Sequence, residues 1–417
     1  MTTTLYDIYL AHPRITTDSR NIPDGGIFFA LKGEKFDGNN YAKESLEKGA
    51  AYAVIDNPAL IMEHPQYRER FLLVDNSLTA LQELAREHRR RVGIPILAIV
   101  GSNGKTTTKE LTSRVLEQGF HTLSTKGNLN NHIGVPLTLL AMDSSTEFGV
   151  VEMGASACSE IALLCSIAEP NYGIITNIGR SHLEGFGGVE GIRRGKGELF
   201  DFLNITGGRA FVPKEDKILN EMAQERSRMV TESYSTSIAD GVKNNLEGEY
   251  NRLNIAAAMA VGRFFKIEEQ KILEAIASYE PQNHRSQRMK TERNTLILDC
   301  YNANPSSMAA SIEHFSKESS EGFGRRVLIL GDMLELGEWS HEEHIKIIEL
   351  ASQIKGAEIW LVGKNFTAAA AELDPQSNIT TLPDFEALKP LLPTLSGALV
   401  LIKGSHSVGL ERAAQFL

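Results

Sequence analysis

Residues 98–111 read AIVGSNGKTTTKEL. The apolar run ILAIV (96–100) passes directly into the turn GSNGKTTT and then into a helix-forming stretch, KELTSRVLEQG. Few folds accommodate that succession. A buried strand, a turn without bulk and a helix N-terminus aimed at the turn form the phosphate-binding corner of an open α/β sheet. Gly101 and Gly104 let backbone N–H groups approach an anion, with Ser102 and Asn103 between them. Lys105 reaches terminal phosphates, and a hydroxyl from the threonines that follow, Thr106 before Thr107, binds Mg2+. The general pattern G-x-x-x-x-G-K-[ST] requires glycine at position 99, where Ile99 stands. The motif here is the shorter G-x-x-G-K-T-T, from Gly101 to Thr107.

The rest of the chain divides around that corner. Residues 1–90 carry short strand-like runs, GIFFALK (26–32), AYAVID (51–56) and FLLVD (71–75), with helical pieces between them. A helix over 77–92 places Leu78, Leu81, Leu84 and Ala85 on one face, with Ser77 as its N-cap. Residues 91–284 alternate ILAIV, FGVVEM (148–153) and YGIIT (172–176) with helical segments, which predicts a parallel sheet covered by helices. The Ala-rich stretch 250–265 reads as a packed helix. Residues 285–417 repeat the pattern in TLILDC (295–300), RVLILG (326–331), AEIWLV (357–362) and ALVLIK. Each run precedes a helical stretch, as in a smaller doubly wound domain. The expected fold class is α/β in three domains: a small N-terminal α/β domain, a central phosphate-loop domain on a parallel sheet and a C-terminal Rossmann-like domain.

Charge excludes one class of partner. The 417-residue chain has a net charge of −10, and nucleic-acid binding needs a basic face. The one basic run, REHRRR (86–91), has no interleaved aromatics and reads as a solvated helix face. Cys158, Cys165 and Cys300 form no CxxC pair, so neither disulfides nor a zinc site are expected, and Cys300 in LILDCY reads as a core thiol. No basic-then-apolar leader and no apolar run of about 18–20 residues is present, so a cytoplasmic protein without a membrane span is expected.

Nucleotide chemistry needs charge neutralisation, and three candidates follow the turn. Glu152 ends FGVVEM, at the strand edge that faces ligands in such sheets. His182, in TNIGRSHLEGFG, lies just past YGIIT at the same edge. Lys196 lies in GIRRGKGELF. Taken singly, each has a plainer reading: a solvated strand-end carboxylate, a structural histidine, a solvated helix start beside Arg193 and Arg194. Asn251 and Asn254, in GEYNRLNIAAAMA, read equally as helix caps.

Together these segments resemble the Mur ligase superfamily, ATP-dependent enzymes that join an amino acid or peptide to a carboxylate. The likeness runs from Asp18 to Glu411. It implies Mg2+ ligation by Thr106, Glu152 and His182, and a CO2-derived carbamate on Lys196 that helps hold a second Mg2+. It puts Asn251 and Asn254 near adenine, Arg285 of NHRSQ at the phosphates between the second and third domains, and Asp299 facing the nucleotide across the cleft. Lys105, Lys196, Arg285 and His182 are the catalytic candidates. TTDSR (16–20) and IFFALKGEKFDGNNY (27–41) look like a uridine-nucleotide-binding domain, with Ser19, Arg20 and Lys32 as contacts. KGNLNNHIGVPLTLL (126–140) looks like the loop that meets the sugar-peptide, through Asn128, Asn130 and Asn131. DCYNANPSSM (299–308), with Tyr301, Asn302 and Asn304, LGDMLELGEWSHEEH (330–344) and KGSHSVGLE (403–411) are similar to the branch that adds D-alanyl-D-alanine.

The activity so implied joins D-Ala-D-Ala to a UDP-N-acetylmuramoyl-tripeptide through an acyl phosphate, giving ADP and phosphate. A monomer whose third domain closes over the second is expected. Alternatives are a sister ligase adding diaminopimelate or lysine to the dipeptide, or glutamate to a folate, and a nucleotide-hydrolysing switch. The uridine-type block weighs against folate, no D-N-P-R motif supports the diaminopimelate branch, and no N-K-x-D motif supports a guanine switch. Three departures from the family pattern stand out: His406 replaces the more usual Arg, Ser159 replaces a usual Gly, and SIADGVKNNL (237–246) is short where relatives carry extra strands.

Overall fold

Three sheets follow one another along the chain in this computed structural model, which describes residues 4–281 and 287–417. The N-terminal sheet has four parallel strands, in spatial order Ile15–Thr16, Ile27–Phe29, Tyr52–Ile55 and Phe71–Leu73. The helix Ser77–Val92 leads from it to the central sheet. The side chain of Asn76, not Ser77, caps this helix by accepting from Thr79 N at 2.8 Å. Ser77 is the first helical residue and is fully buried, so its hydroxyl is not placed to cap.

The basic run on this helix is not a uniformly solvated face. Arg89 is buried, donating to the carbonyl oxygens of Ala168 (2.8 Å) and Glu169 (3.1 Å) and to Asn171 Oδ1 (2.9 Å). His88 is buried against Tyr6 and Tyr9 and contacts the Met142 carbonyl at 2.7 Å. Arg90 and Arg91 are exposed, paired with Glu169 and Glu87. The helix therefore joins the N-terminal and central layers.

The central sheet has six parallel strands, in order Val230–Tyr234, Arg209–Pro213, Tyr172–Ile175, Ile96–Val100, Phe148–Glu152 and Thr122–Ser124. The strand Ile96–Val100 is wholly buried. Its alternate side chains enter two cores, Ile96, Ala98 and Val100 on one face and Leu97 and Ile99 on the other. A continuous apolar run is what a strand covered on both faces requires. Phe264 and Phe265, ending the helix Asn251–Phe264, pack edge-on against Tyr172, Phe148 and Phe211. The short 237–246 stretch forms one 3-10 turn, Thr236–Ala239, then irregular chain. Val230–Tyr234 is thus the sheet's edge.

The C-terminal sheet runs Gln287–Lys290, Thr295–Asp299, Ala398–Lys403, Arg325–Gly331, Ala357–Val362 and Ile379–Leu382. The first strand is antiparallel to its neighbour and the others are parallel. That antiparallel edge was not expected from the sequence, because Gln287–Lys290 is polar and half-exposed. The strand Ala398–Lys403, last along the chain, is followed by 3-10 turns rather than by the expected helix. One apolar cluster runs from Tyr6 through Val151 and Leu183 to Met333 and Leu401, so all three layers share buried contacts. Among the described residues no helix is long and apolar enough to cross a membrane. Cys300 is buried, its thiol directed at the Ile402 carbonyl.

Candidate active site

The strand Ile96–Val100 delivers the chain to Gly101–Gly104 and the helix Lys105–Leu116. Gly101 and Gly104 have φ of +147° and +78°. A Cβ on Gly101 would lie 1.9 Å from Thr176 Oγ1, and one on Gly104 would lie 2.5 Å from Asn254 Oδ1. Glycine is therefore required twice over, by conformation and by space. The loop is pinned to the segment after the neighbouring strand. Ser102 Oγ donates to the Gly179 carbonyl and accepts from Gly179 N, both at 2.9 Å. Asn103 N donates to Asn177 Oδ1 at 3.1 Å. Lys105 Nζ folds onto its own loop, donating to the carbonyls of Gly101 (2.7 Å) and Ser102 (3.2 Å). The backbone N–H groups that open a helix have no intrahelical acceptor, which suits an anion.

Glu152 lies beside this loop and is 2% exposed. Its Oε1 accepts from Thr106 Oγ1 (3.2 Å) and Asn130 Nδ2 (2.8 Å), while its buried Oε2 has no hydrogen-bond partner. A desolvated carboxylate oxygen without a partner is costly. A hard cation would satisfy it, and a hydroxyl with a carboxylate is the oxygen donor set Mg2+ takes. Lys109, also buried, donates to the Thr125 carbonyl at 2.8 Å, and Thr125 Oγ1 accepts from Glu152 N at 3.0 Å. The phosphate-loop helix thereby holds the carboxylate strand.

His182 begins a short helical turn at φ +52°, and its Nδ1 contacts Glu335, which is itself at φ +60°. Two non-glycine residues in left-handed conformations thus meet across a sheet boundary, strain of the kind that clusters at functional sites. Lys196 is fully buried in the helix Val189–Thr206. Its Nζ donates to the Ala155 carbonyl at 3.1 Å and sits 4.7 Å from the centre of the Phe186 ring. Burial, and secondarily the charge of Lys105, pull its ammonium down to about 7. A lysine there is substantially neutral at physiological pH.

A cavity of about 890 Å³ opens between the strand ends of the central and C-terminal sheets. It gathers Ser102, Asn103, Gly104, Lys105, Thr106, Thr107, Asn130, Asn131, Glu152, His182, Asn251 and Asn254 with Asp299, Tyr301, Asn302 and Asn304. Asn254 accepts from Thr108 Oγ1 (3.0 Å) and donates to Asn251 Oδ1 (2.8 Å), so these two asparagines tie their helix to the loop helix. Asn251 does not act as a side-chain cap. Gly101, Lys196 and Asn128 do not line the cavity. Neither do Ser19, Arg20 and Lys32, which lie on the N-terminal layer. There Arg20 grips Asp18 and holds its carboxyl down to about 2, Lys32 pairs with Asp56 at 2.9 Å, and the Ser19 carbonyl accepts from Lys48. Arg285 lies outside the described residues.

The C-terminal sheet closes one side of the cavity. Asn304 Nδ2 donates to Asn103 Oδ1 at 2.7 Å, Arg180 N donates to Ser306 Oγ at 2.8 Å, and Arg180 pairs with the buried Glu343 at 2.7 Å. Tyr250, Ser306, Glu335 and Lys403 are among the cavity residues that the sequence does not single out. The only local signal was for Lys403, which ends an apolar strand run as Glu152 does.

Family profiles match most of the chain: Mur ligase family, catalytic domain, over 13–89; Mur ligase middle domain, over 99–256; and Mur ligase, glutamate ligase domain, over 284–406. The chain is 34% identical to the UDP-N-acetylmuramoyl-tripeptide--D-alanyl-D-alanine ligase of Bacillus subtilis (strain 168), covering 97% of this chain and 92% of that one. It is 32% identical to the enzyme of that name from Escherichia coli (strain K12), covering 97% and 93%. Among solved structures it is similar to MurF from Acinetobacter baumannii, with TM-score 0.85 and 28% identity over 96% of this chain and 92% of that one. It is also similar to the MurF ligase of Thermotoga maritima in complex with ADP, with TM-score 0.81 and 26% identity over 97% and 96%.

Proposed function

The chain belongs to the Mur ligase family, and we propose that it joins D-alanyl-D-alanine to UDP-N-acetylmuramoyl-tripeptide, converting ATP to ADP and phosphate. The observation that carries this reading is near-full-length likeness to ligases of that name, on a chain in which a phosphate loop and a buried, half-satisfied carboxylate line the same cavity.

The loop amides and Lys105 take the ATP phosphates. Lys105 exchanges its two carbonyl partners for phosphate oxygens and stabilises charge on the transferring group. The tripeptide carboxylate attacks the γ-phosphorus, ADP leaves, and an acyl phosphate forms. The D-Ala-D-Ala amine then attacks the acyl carbon. The tetrahedral adduct expels phosphate and loses a proton, leaving the amide. Asn130 and Asn131 present the sugar-peptide, and Tyr301 and Asn302 present the acceptor. Ser19, Arg20 and Lys32 bind the uridine end on the outer layer. Asn251, Asn254 and Asp299 hold the nucleoside, with Arg285 at the phosphates. The docked C-terminal sheet keeps water from the acyl phosphate.

Thr106, Glu152 and His182 would hold Mg2+, which supplies charge neutralisation at the phosphates. The lowered basicity of Lys196 favours addition of its neutral amine to CO2, giving a carbamate and a proton. The enzyme acts as a cytoplasmic monomer on these small molecules.

The test is ADP release with UDP-MurNAc-tripeptide alone and with D-Ala-D-Ala, beside Lys105→Ala. Release at speed only with both substrates, lost in the variant, supports the reading. Equal hydrolysis with neither substrate refutes it.

A further inference from the structure

Asp299 and Lys403 end adjacent parallel strands and are direct register partners. Lys403 is 1% exposed, although it stands at the crevice edge of the C-terminal sheet. A buried ammonium must place its protons on acceptors. Lys403 Nζ lies 2.5 Å from Asp299 Oδ2, 3.3 Å from the Asn302 carbonyl and 3.5 Å from the Asp299 carbonyl. Asp299 Oδ2 accepts in addition from Ser311 Oγ at 2.9 Å. One side chain therefore fixes both the Asp299 carboxylate and the turn that carries Tyr301 and Asn302 along the cavity wall.

We propose that Lys403 is a positioning residue for the ligation. It touches no substrate itself. It acts through Asp299, setting the rotamer of that side chain, so that the nucleoside-facing carboxylate is held before ATP arrives. Stability alone does not require this arrangement, since a buried ion pair is commonly matched by apolar residues of similar volume. Its place at two strand ends, with both partners on the cavity, is what a preorganised site requires. The proposal rests on the ligase reading.

The test is steady-state kinetics on the full chain, varying ATP and then UDP-MurNAc-tripeptide, for Lys403→Met, Lys403→Arg, Asp299→Asn and the Met/Asn double variant. If Lys403 acts through Asp299, Lys403→Met raises KM for ATP about tenfold and leaves KM for the UDP-substrate within about threefold. The double variant is then no worse than Asp299→Asn by more than about twofold. Lys403→Arg keeps the charge, misplaces it, and shows a smaller rise confined to ATP. Multiplying effects in the double variant, equal rises for both substrates, or wild-type kinetics in Lys403→Met would overturn the proposal. If Lys403→Met does not fold, the Arg variant decides by the same ATP-against-UDP-substrate split. Failure of the ligase reading is separately visible, because the wild-type chain itself would then show no substrate-dependent ADP release.

Discussion

Asn103 of the phosphate loop and Asn304 of the C-terminal layer form a reciprocal amide pair, at 2.7 Å in one direction and 3.4 Å in the other. Asn304 Oδ1 also accepts from Ser307 N at 2.9 Å, capping the helix Pro305–Lys317. One side chain thus starts a helix and reports the position of the nucleotide loop.

The two partners should differ in what they cost. Asn304→Ala loses both cap and bridge, while Asn103→Ala loses only the bridge. Urea unfolding should show Asn304→Ala less stable than Asn103→Ala by about 1 kcal/mol, the usual worth of an N-cap. Equal losses would mean that the cap contributes nothing here.

Glu152→Gln keeps the oxygen that meets Thr106 and Asn130 and removes the charge on the partnerless one. Ligation should fall by about a hundredfold or more. Without added Mg2+ the variant should melt no lower than the parent, and the parent's Mg2+-dependent rise in Tm should vanish. A retained rise would place the cation elsewhere.

Lys196 titrates near 7 when folded and at 10.5 otherwise. Between those values the unfolded chain binds more protons, so this group's contribution to stability improves as pH rises and its full cost persists below 7. In CO2-free buffer, where the amine is unmodified, Lys196→Met should therefore melt a few degrees above the parent at pH 7, with the gap shrinking towards pH 10. It should also ligate poorly. A gap independent of pH would contradict the burial argument.

Glu247, in the central layer, meets His314 (3.3 Å) and Arg288 (2.7 Å) of the C-terminal layer. Hydrogen bonding to His314, then to Arg288, holds its carboxyl down to about 2 against an ordinary 4.5. The stabilisation is whole above pH 4.5 and is lost as pH falls through 2. Glu247→Gln should flatten the acid limb of a stability–pH curve across that window. An unchanged limb would show the ion pairs to be inert.

The central sheet and its phosphate corner were legible because their signals are local: continuous apolar runs, then glycine, lysine and threonine in sequence. Glu152 and Asp299 were legible as strand ends. Arg89 was misread because its acceptors, Ala168 and Asn171, are distant in sequence, and composition showed only a basic run. Ser77 looked like a cap because it opens the apolar periodicity, yet the chain turns one residue earlier, at Asn76. Glu335 and Lys403 acquire meaning only from what faces them, His182 and Asp299, and those pairings follow from sheet order.

Lys105 rests on the Gly101 and Ser102 carbonyls. That resting place bears on the end of a catalytic cycle as much as on its start. On the proposed mechanism, when the products depart, the ammonium returns to acceptors a few ångströms away instead of facing the cavity unpaired. Product escape then leaves no stranded charge behind, and the loop resets itself for the next round without waiting for a new anion.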